Sequence, residues 1–246
     1  MKKILILQMR PECETANAEF EAILKKGQIG HDQVERIRVE QLQVKEIDLN
    51  KYCAIIAGGS PFDISTPTAE KTYIQKEVEA FFQKLFEKLI PADFPFFGAC
   101  SGNGLLGSYC GVNISSRYSE PIGPVEVSLT EAGTQDDLLK GLPIKFTTLA
   151  GHKEACDELP KEATLLITSI PCPVQMFRLK SNIYATQFHP EADEEQFSLR
   201  VDIYKDYGYF RPEESAKIKS ILKDVEVPES NEILRRFVAK YKSFSQ

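Results

Sequence analysis

The sequence predicts an α/β fold in which a mostly parallel central sheet is flanked by helices on both faces, with added antiparallel strands and a C-terminal helical extension. Two observations support this. In the first 110 residues, short apolar runs alternate with amphipathic segments, as strands do when helical crossovers join them. After Gly111, strand-like runs follow one another with Pro, Gly and acidic turns between them, which indicates antiparallel strands.

The first half of the chain contains four predicted strands and three predicted helices. The runs KILIL, VERIRV and CAIIA predict strands, with a helix over about residues 14–26 after the first. Apolar residues at helical spacing predict a long helix over residues 68–89, between Pro67 and Pro91. The run FPFF, residues 94–97, predicts a fourth strand that leads into a short helix.

The second half predicts shorter strands and then helices. The strand-like runs are VNISSR, VEVSL, IKFTTL, TLLITS, VQMFRL and NIYATQF. Three helices are predicted around residues 195–207, 212–222 and 231–242. We expect one domain over residues 1–246, with a catalytic core of about 1–194 and C-terminal helices over about 195–246.

Composition limits the class of protein. A net charge of -6 and a pI near 5.3 argue against binding to nucleic acid or to anionic membranes. No apolar run approaches the roughly 20 residues that cross a bilayer, and ILIL is too short for a signal peptide. The six cysteines show no C-x-x-C pair, which favours reduced thiols, a cytoplasmic location and no metal site.

Cys100 lies where the FPFF strand runs through the turn GACSGNG into an apolar helix. This is the layout of a nucleophile elbow, in which Gly98 and Gly102 let neighbouring backbone pass closely. The N-terminus of the following helix is expected to favour a thiolate at Cys100. Alternatively, Cys100 is a small buried apolar residue, as most free cysteines are.

His189 is the best candidate for a base among three histidines. It follows the strand NIYATQF and begins the sequence HPE, so the carboxylate of Glu191 can hold one ring nitrogen while the other faces a thiol. His31 lies in a polar turn and is expected to be exposed. Taken alone, HPE is also compatible with a plain polar turn. Gly58 and Gly59 close the third strand, so the N-H groups of Gly59 and Ser101 are candidate oxyanion donors.

Three segments, CAIIAGGS, FFGACSGNGLLG and YATQFHPE, occur in the order found in a known family. Over about its first 195 residues the chain resembles the class I (triad-type) glutamine amidotransferases, as in the glutaminase domain of GMP synthase. The resemblance implies that Cys100 is the nucleophile, His189 the base and acid, and Glu191 its orienting partner. It also implies Gly59 and Ser101 as oxyanion donors, and no cofactor.

The reaction implied by the resemblance is hydrolysis of the side-chain amide of glutamine. A glutamyl thioester forms on Cys100 and is hydrolysed, giving glutamate and ammonia. The small-molecule substrate would then be glutamine or a γ-glutamyl amide. Since no ATP-binding or acceptor-binding domain is recognised, either a synthetase partner accepts the ammonia or the protein acts alone.

One position departs from the family pattern. Gly104 stands where the family carries a glutamine that helps to hold the substrate, and Asn103 is a possible replacement. The segment LAGHKEAC partly resembles a loop beside the family's substrate, so His152 is a candidate for the pocket wall. Gly58, Asn103, Gly104 and His152 are therefore the predicted substrate-binding residues. The change at Gly104 keeps open a γ-glutamyl peptidase, another amide hydrolase on the same triad, or a non-catalytic regulatory homologue.

A dinucleotide-binding protein is a further alternative. Gly102, Gly104 and Gly107 form a G-x-G-x-x-G pattern after a strand, with Glu120 near the expected ribose-binding acid. The predicted helix is short, however, and this alternative leaves QFHPE unexplained.

Overall fold

The structure is a computed structural model that describes residues 2–44 and 46–242. Nine strands form the central sheet: β1 (Lys3–Gln8), β2 (Val34–Arg38), β3 (Tyr52–Ala57), β4 (Phe96–Ala99), β6 (Glu120–Leu129), β7 (Lys145–His152), β9 (Ala163–Thr168), β10 (Met176–Leu179) and β11 (Ile183–Thr186). A small second sheet pairs β5 (Ile114–Ser115) with β8 (Ala155–Cys156). The helices are α1 (Cys13–Gly27), α2 (Tyr73–Leu89), α3 (Ser101–Tyr109), α4 (Glu131–Gln135), α5 (Glu194–Ile203), α6 (Ser215–Leu222) and α7 (Pro228–Lys242).

The strand order is β2-β1-β3-β4-β11-β10-β9-β6-β7. The first five strands are parallel to one another, and β10, β9, β6 and β7 continue the sheet in antiparallel pairs. The predicted α/β fold with added antiparallel strands is therefore confirmed.

The sheet is covered on both faces because its parallel strands are apolar on both faces. In β1, Ile4 and Ile6 face a core that contains apolar residues of α1 and α7. Leu5 and Leu7 face the opposite core, which contains apolar residues of α2 and α3. This alternation follows from the two-residue repeat of a strand.

Two predicted elements differ in extent. Helix α2 begins at Tyr73 and not at residue 68, because the hydroxyl of Thr72 accepts a hydrogen bond from Gln75 N-H at 3.1 Å and caps the helix there. The VNISSR strand is reduced to the two residues of β5. The last helix, α7, packs in the main core, where Phe237 contacts Phe97 at 5.2 Å between ring centres. The boundary near residue 194 stays a prediction, and this packing argues against separating α7 from the core.

The carboxyl ends of β1, β3, β4 and β11 lie side by side at one edge of the sheet. In open α/β sheets this edge is where ligands bind. Helices α5 and α6 form a smaller core beside this edge, in which Phe197 and Val201 pack with Ile218 and Leu222. Among the described helices, none is long and apolar enough to cross a membrane.

Candidate active site

Cys100 occupies a strained turn between β4 and α3. Its φ of 52° and ψ of -101° lie in a region that non-glycine residues rarely adopt. The turn is held by a 2.8 Å hydrogen bond from Cys100 N-H to Thr186 O. A Cβ on Gly98 would lie 2.8 Å from the backbone of Gly102, so the close approach requires a glycine at residue 98. This is the geometry expected of a nucleophile elbow.

His189 lies three residues beyond β11, with its ring held on one side by a carboxylate. Its Nδ1 is 2.7 Å from Glu191 Oε1, and both side chains are buried. Because a carboxylate only accepts hydrogen bonds, Nδ1 carries the proton and Nε2 keeps a lone pair. Phe197 packs edge-on against the imidazole ring at 5.5 Å. The ring is therefore oriented for a base that acts through Nε2.

Two buried arginines extend this arrangement, and sequence reasoning missed both. Arg200 Nη2 donates to Glu191 Oε1 at 2.9 Å. Arg10 Nε donates to Glu19 Oε1 at 2.7 Å, and Arg10 Nη1 donates to the hydroxyl of Tyr204 at 3.1 Å. A signal existed for Arg10, which follows β1 by two residues and so lies at the same sheet edge as Cys100. For Arg200, the signal was its place between apolar residues at helical spacing in α5.

Two small cavities meet at Cys100. The His189 cavity, of about 30 Å³, is lined by ten residues: Arg10, Ser60, Cys100, Ile122, Gly151, His189, Phe197, Arg200, Tyr204 and Tyr209. The Gly104 cavity, of about 20 Å³, shares Ser60, Cys100 and Tyr209 with it and also contains Ser101, Gly104, His152 and Lys153. Each holds about one or two waters. Because Tyr209 borders both cavities, its segment must move to admit a glutamine-sized substrate.

The resting site holds a neutral thiol. Burial raises the pKa of Cys100 to about 11 and the charge of Glu191 raises it further, while Arg10, Arg200 and the Ser101 N-H partly offset this. The expectation that the helix N-terminus alone favours a thiolate is therefore wrong. Burial also lowers the pKa of His189, against the opposing charge of Glu191. We infer that His189 removes the thiol proton during attack, as a general base.

These protonation states predict a pH dependence. His189 accepts a proton only when neutral, and its pKa lies below its ordinary value of 6.5. We therefore expect kcat/KM to hold as the pH falls to 6.5 and to decline only below that value. Alkylation of Cys100 by iodoacetamide should keep accelerating as the pH rises toward about 11. An alkylation rate that is already constant at neutral pH would contradict the neutral resting thiol.

The two predicted oxyanion donors differ in availability. Ser101 is the first residue of α3, and its N-H interacts with the Cys100 sulfur. The Gly59 N-H instead donates to Glu19 Oε1 at 3.2 Å. The oxyanion role of Gly59 stays a prediction, and it requires this hydrogen bond to break. The next N-H along the chain, of Ser60, donates to Ser101 Oγ at 2.8 Å.

The structure explains the glycine at residue 104. A Cβ on Gly104 would lie 2.7 Å from Cδ1 of Ile64, so Ile64 occupies the space in which a glutamine side chain would begin. Gly104 lines the cavity that bears its name and contributes no side-chain hydrogen bond there. The substrate must therefore be held by other groups.

The other predicted substrate-binding residues separate into two groups. His152 lies in the wall of the Gly104 cavity, and its contact with substrate stays a prediction. Asn103 points elsewhere: it is fully buried, with its Oδ1 3.3 Å from Cys156 Sγ, because its place on α3 directs it toward β8. A Cβ on Gly58 would lie 2.5 Å from Glu19 Oε2, so Gly58 is packed against that carboxylate. The geometry does not support substrate contacts by Asn103 or Gly58.

One group of possible metal ligands occurs among the described residues. Ligand atoms of Glu120, His152 and Cys172 lie within 4.8 Å of one another, and all three residues are buried. His152 Nε2 is 2.7 Å from Glu120 Oε2 and its Nδ1 is 3.0 Å from Glu154 O. Both ring nitrogens are thus at direct hydrogen-bond distance from oxygens, and we assign the pair as an ionic hydrogen bond.

The dinucleotide alternative is not supported by the position of its glycines. Gly102, Gly104 and Gly107 all lie inside α3, whereas phosphate binding needs such glycines in the turn before a helix. Glu120 is buried and its Oε2 accepts a hydrogen bond from Gln175 at 2.7 Å, so it is not placed to bind a ribose.

Comparison with known proteins agrees with the site geometry. Residues 21–201 match the family Glutamine amidotransferase class-I. The glutamine-hydrolysing subunit of GMP synthase from Thermoplasma acidophilum is 30% identical over 116 residues, 47% of this chain and 56% of that protein. The corresponding protein of Methanobrevibacter smithii, which has the same name, is 26% identical over 151 residues, 61% of this chain and 70% of that protein.

Solved structures with less than a quarter of identical residues share the fold. A glutamine amidotransferase from Thermotoga maritima has a TM-score of 0.69 at 19% identity, covering 97% of this chain and 99% of that one. A glutamine amido transferase from Methylobacillus flagellatus has a TM-score of 0.73 at 17% identity, covering 100% and 96%. The chain spans little more than half the length of the first curated relatives it matches. Since the family match covers residues 21–201, the chain belongs to the class-I glutamine amidotransferase family.

Proposed function

We propose that the protein is a cysteine-nucleophile amide hydrolase that cleaves the side-chain amide of glutamine or of a γ-glutamyl compound. The observation that carries this proposal is that Cys100, on a strained elbow, and His189 line one cavity while Glu191 holds the far ring nitrogen. The family match supports it.

The proposed reaction follows from these protonation states. As the Cys100 sulfur attacks the amide carbon, His189 Nε2 takes the thiol proton and passes it to the leaving nitrogen. The imidazolium that forms in between is stabilised by Glu191. A water deprotonated by His189 then hydrolyses the thioester, releasing a carboxylate and the free thiol. The N-H of Ser101 is the better placed oxyanion donor.

The substrate and setting are narrower proposals. Glutamine is the simplest substrate, and a separate synthetase would then accept the ammonia. The relatives named as glutamine-hydrolysing subunits of GMP synthase support such a partner. Gly104, with Ile64 against it, favours a second candidate, a γ-glutamyl compound whose leaving group adds contacts. All six cysteines are free, which supports the cytoplasmic location.

The test is covalent labelling combined with a substrate assay. An electrophilic glutamine analogue should modify Cys100, located by mass spectrometry of peptides, and the protein should release glutamate from glutamine or from a γ-glutamyl amide. Cys100→Ala should abolish both the adduct and the release, whereas Cys13→Ala, at an exposed free cysteine, should retain them. Labelling elsewhere, or hydrolysis that survives Cys100→Ala, would exclude the proposal.

A further inference from the structure

The position of His189 identifies the side of Cys100 on which the leaving group lies. Under the proposed function, on which this inference rests, His189 delivers a proton to the departing nitrogen. His189 lines the His189 cavity, and it is not among the residues that line the Gly104 cavity. The leaving group therefore occupies the His189 cavity, and the glutamyl group occupies the Gly104 side, beside Ser101 and Lys153.

The leaving-group side carries guanidinium groups with unused donors. Arg200 is 6% exposed, and its Nη1 is buried with no hydrogen-bond partner in the described part of the chain. Arg10 is 3% exposed and uses Nε and Nη1 for Glu19 and Tyr204. Within residues 2–44 and 46–242, no hydrogen-bond acceptor is found for its Nη2. Both arginines line the His189 cavity.

The second free donor depends on a glycine. Arg10 Nη2 lies 2.6 Å from the position that a Cβ on Gly59 would take, so the absence of a side chain at residue 59 makes room for the guanidinium. A buried charged donor without a partner is costly. Two such donors around one cavity indicate that an acceptor from a ligand completes them.

Ammonia has no acceptor group that two guanidinium groups would bind, since it leaves as a small neutral or cationic molecule. A carboxylate is the group that guanidinium binds best, through charge-assisted and often paired hydrogen bonds. An amino acid released from a γ-glutamyl bond carries such a carboxylate one carbon away from its departing nitrogen.

We propose that Arg10 and Arg200 form a carboxylate site for the leaving group, so that the preferred substrate is a γ-glutamyl amino acid or peptide. Cys100 attacks the γ-carbonyl carbon, the carbon-nitrogen bond breaks, and the nitrogen leaves as the amine of the amino acid with the proton from His189. Water then hydrolyses the thioester, so the products are glutamate and the free amino acid.

A larger groove continues from this side. It has a volume of about 710 Å³ and shares Ile122 and Tyr209 with the His189 cavity. Its walls include Lys145 and Lys217. Once Tyr209 moves, a leaving group longer than one residue can extend into this groove, which is consistent with peptides as well as single amino acids.

The test compares two substrates that differ only in the leaving-group charge, γ-glutamylglycine and γ-glutamylglycinamide, with glutamine as a third. For the unmodified protein we expect kcat/KM for γ-glutamylglycine to exceed that for the amide about 10- to 100-fold, the range of a charge-assisted contact. In Arg10→Gln this ratio should fall to near one, mainly through a higher KM. Arg10→Lys should retain part of the ratio.

The control is Arg178→Gln, which removes an arginine that pairs with buried Asp136 outside both cavities. It should keep the substrate ratio even though it loses stability. Equal rates for the acid and the amide, with labelling of Cys100 intact, would overturn the carboxylate site and leave the amide hydrolase standing. No turnover of any of the three substrates, with no labelling of Cys100, would remove the proposed function and this inference together.

Discussion

Glu191→Gln is expected to lower kcat/KM about 10²- to 10⁴-fold, the range seen when the residue orienting a catalytic histidine loses its charge. Glu191 Oε1 accepts hydrogen bonds from both His189 Nδ1, at 2.7 Å, and Arg200 Nη2, at 2.9 Å. A glutamine can keep one acceptor there but no longer stabilises the imidazolium. Steady-state kinetics on the best substrate measures the loss, which should appear mainly in kcat.

The same substitution should destabilise the protein, because it leaves the buried charge of Arg200 without its nearest carboxylate, at a cost of about 3–5 kcal/mol. The pKa of Glu191 is held well below its usual range by His189 and Arg200, despite burial. Its folded pKa is depressed, so its contribution is complete above the ordinary value of 4.5 and is lost as the pH falls further. The difference in unfolding free energy between the two proteins should therefore narrow below pH 4.5.

The matched control is Glu195→Gln, an exposed acid near the start of the same helix as Arg200. It should change activity little and stability by less than about 0.5 kcal/mol. Full activity in Glu191→Gln would mean that His189 is oriented by its surroundings and that the carboxylate has no part in catalysis.

The sequence was informative wherever a local pattern determines a local geometry. Alternating apolar runs located β1, β3, β4 and β11, and the rule that parallel strands present their carboxyl ends at one edge then brought Cys100 and His189 to the same place. The spacing of His189 and Glu191 also placed a carboxylate on the ring, as the structure has it.

What the sequence did not reveal depends on contacts between distant segments. Glu19 lies on α1, 40 residues before Gly59, yet it accepts the N-H that is predicted to bind the oxyanion. Ile64 explains Gly104, and Cys156 holds Asn103. Buried charges of this kind have no periodicity to detect, because one arginine on an apolar helical face looks the same whether it reaches water or a buried carboxylate.

Glu19→Gln is expected to lower the free energy of unfolding by about 3–5 kcal/mol, as when one partner of a buried ion pair is removed. Glu19 is fully buried. Its carboxylate accepts hydrogen bonds from Arg10 Nε at 2.7 Å, Gln8 Nε2 at 2.9 Å and Gly59 N-H at 3.2 Å. A glutamine must turn its NH₂ group toward one of these donors, and Arg10 keeps a buried charge without its partner.

For a chain of this size the loss corresponds to a fall in Tm of roughly 6–20 °C, measured by calorimetry or by circular dichroism during heating. Glu21→Gln is the control, because Glu21 lies on the same helix but is exposed and pairs only with exposed His31 at 3.3 Å; its Tm should shift by no more than about 2 °C. If Glu19→Gln were as stable as this control, Arg10 would not need a carboxylate partner. Its free Nη2 would then be no sign of a ligand, so the measurement bears on the leaving-group site as well as on the fold.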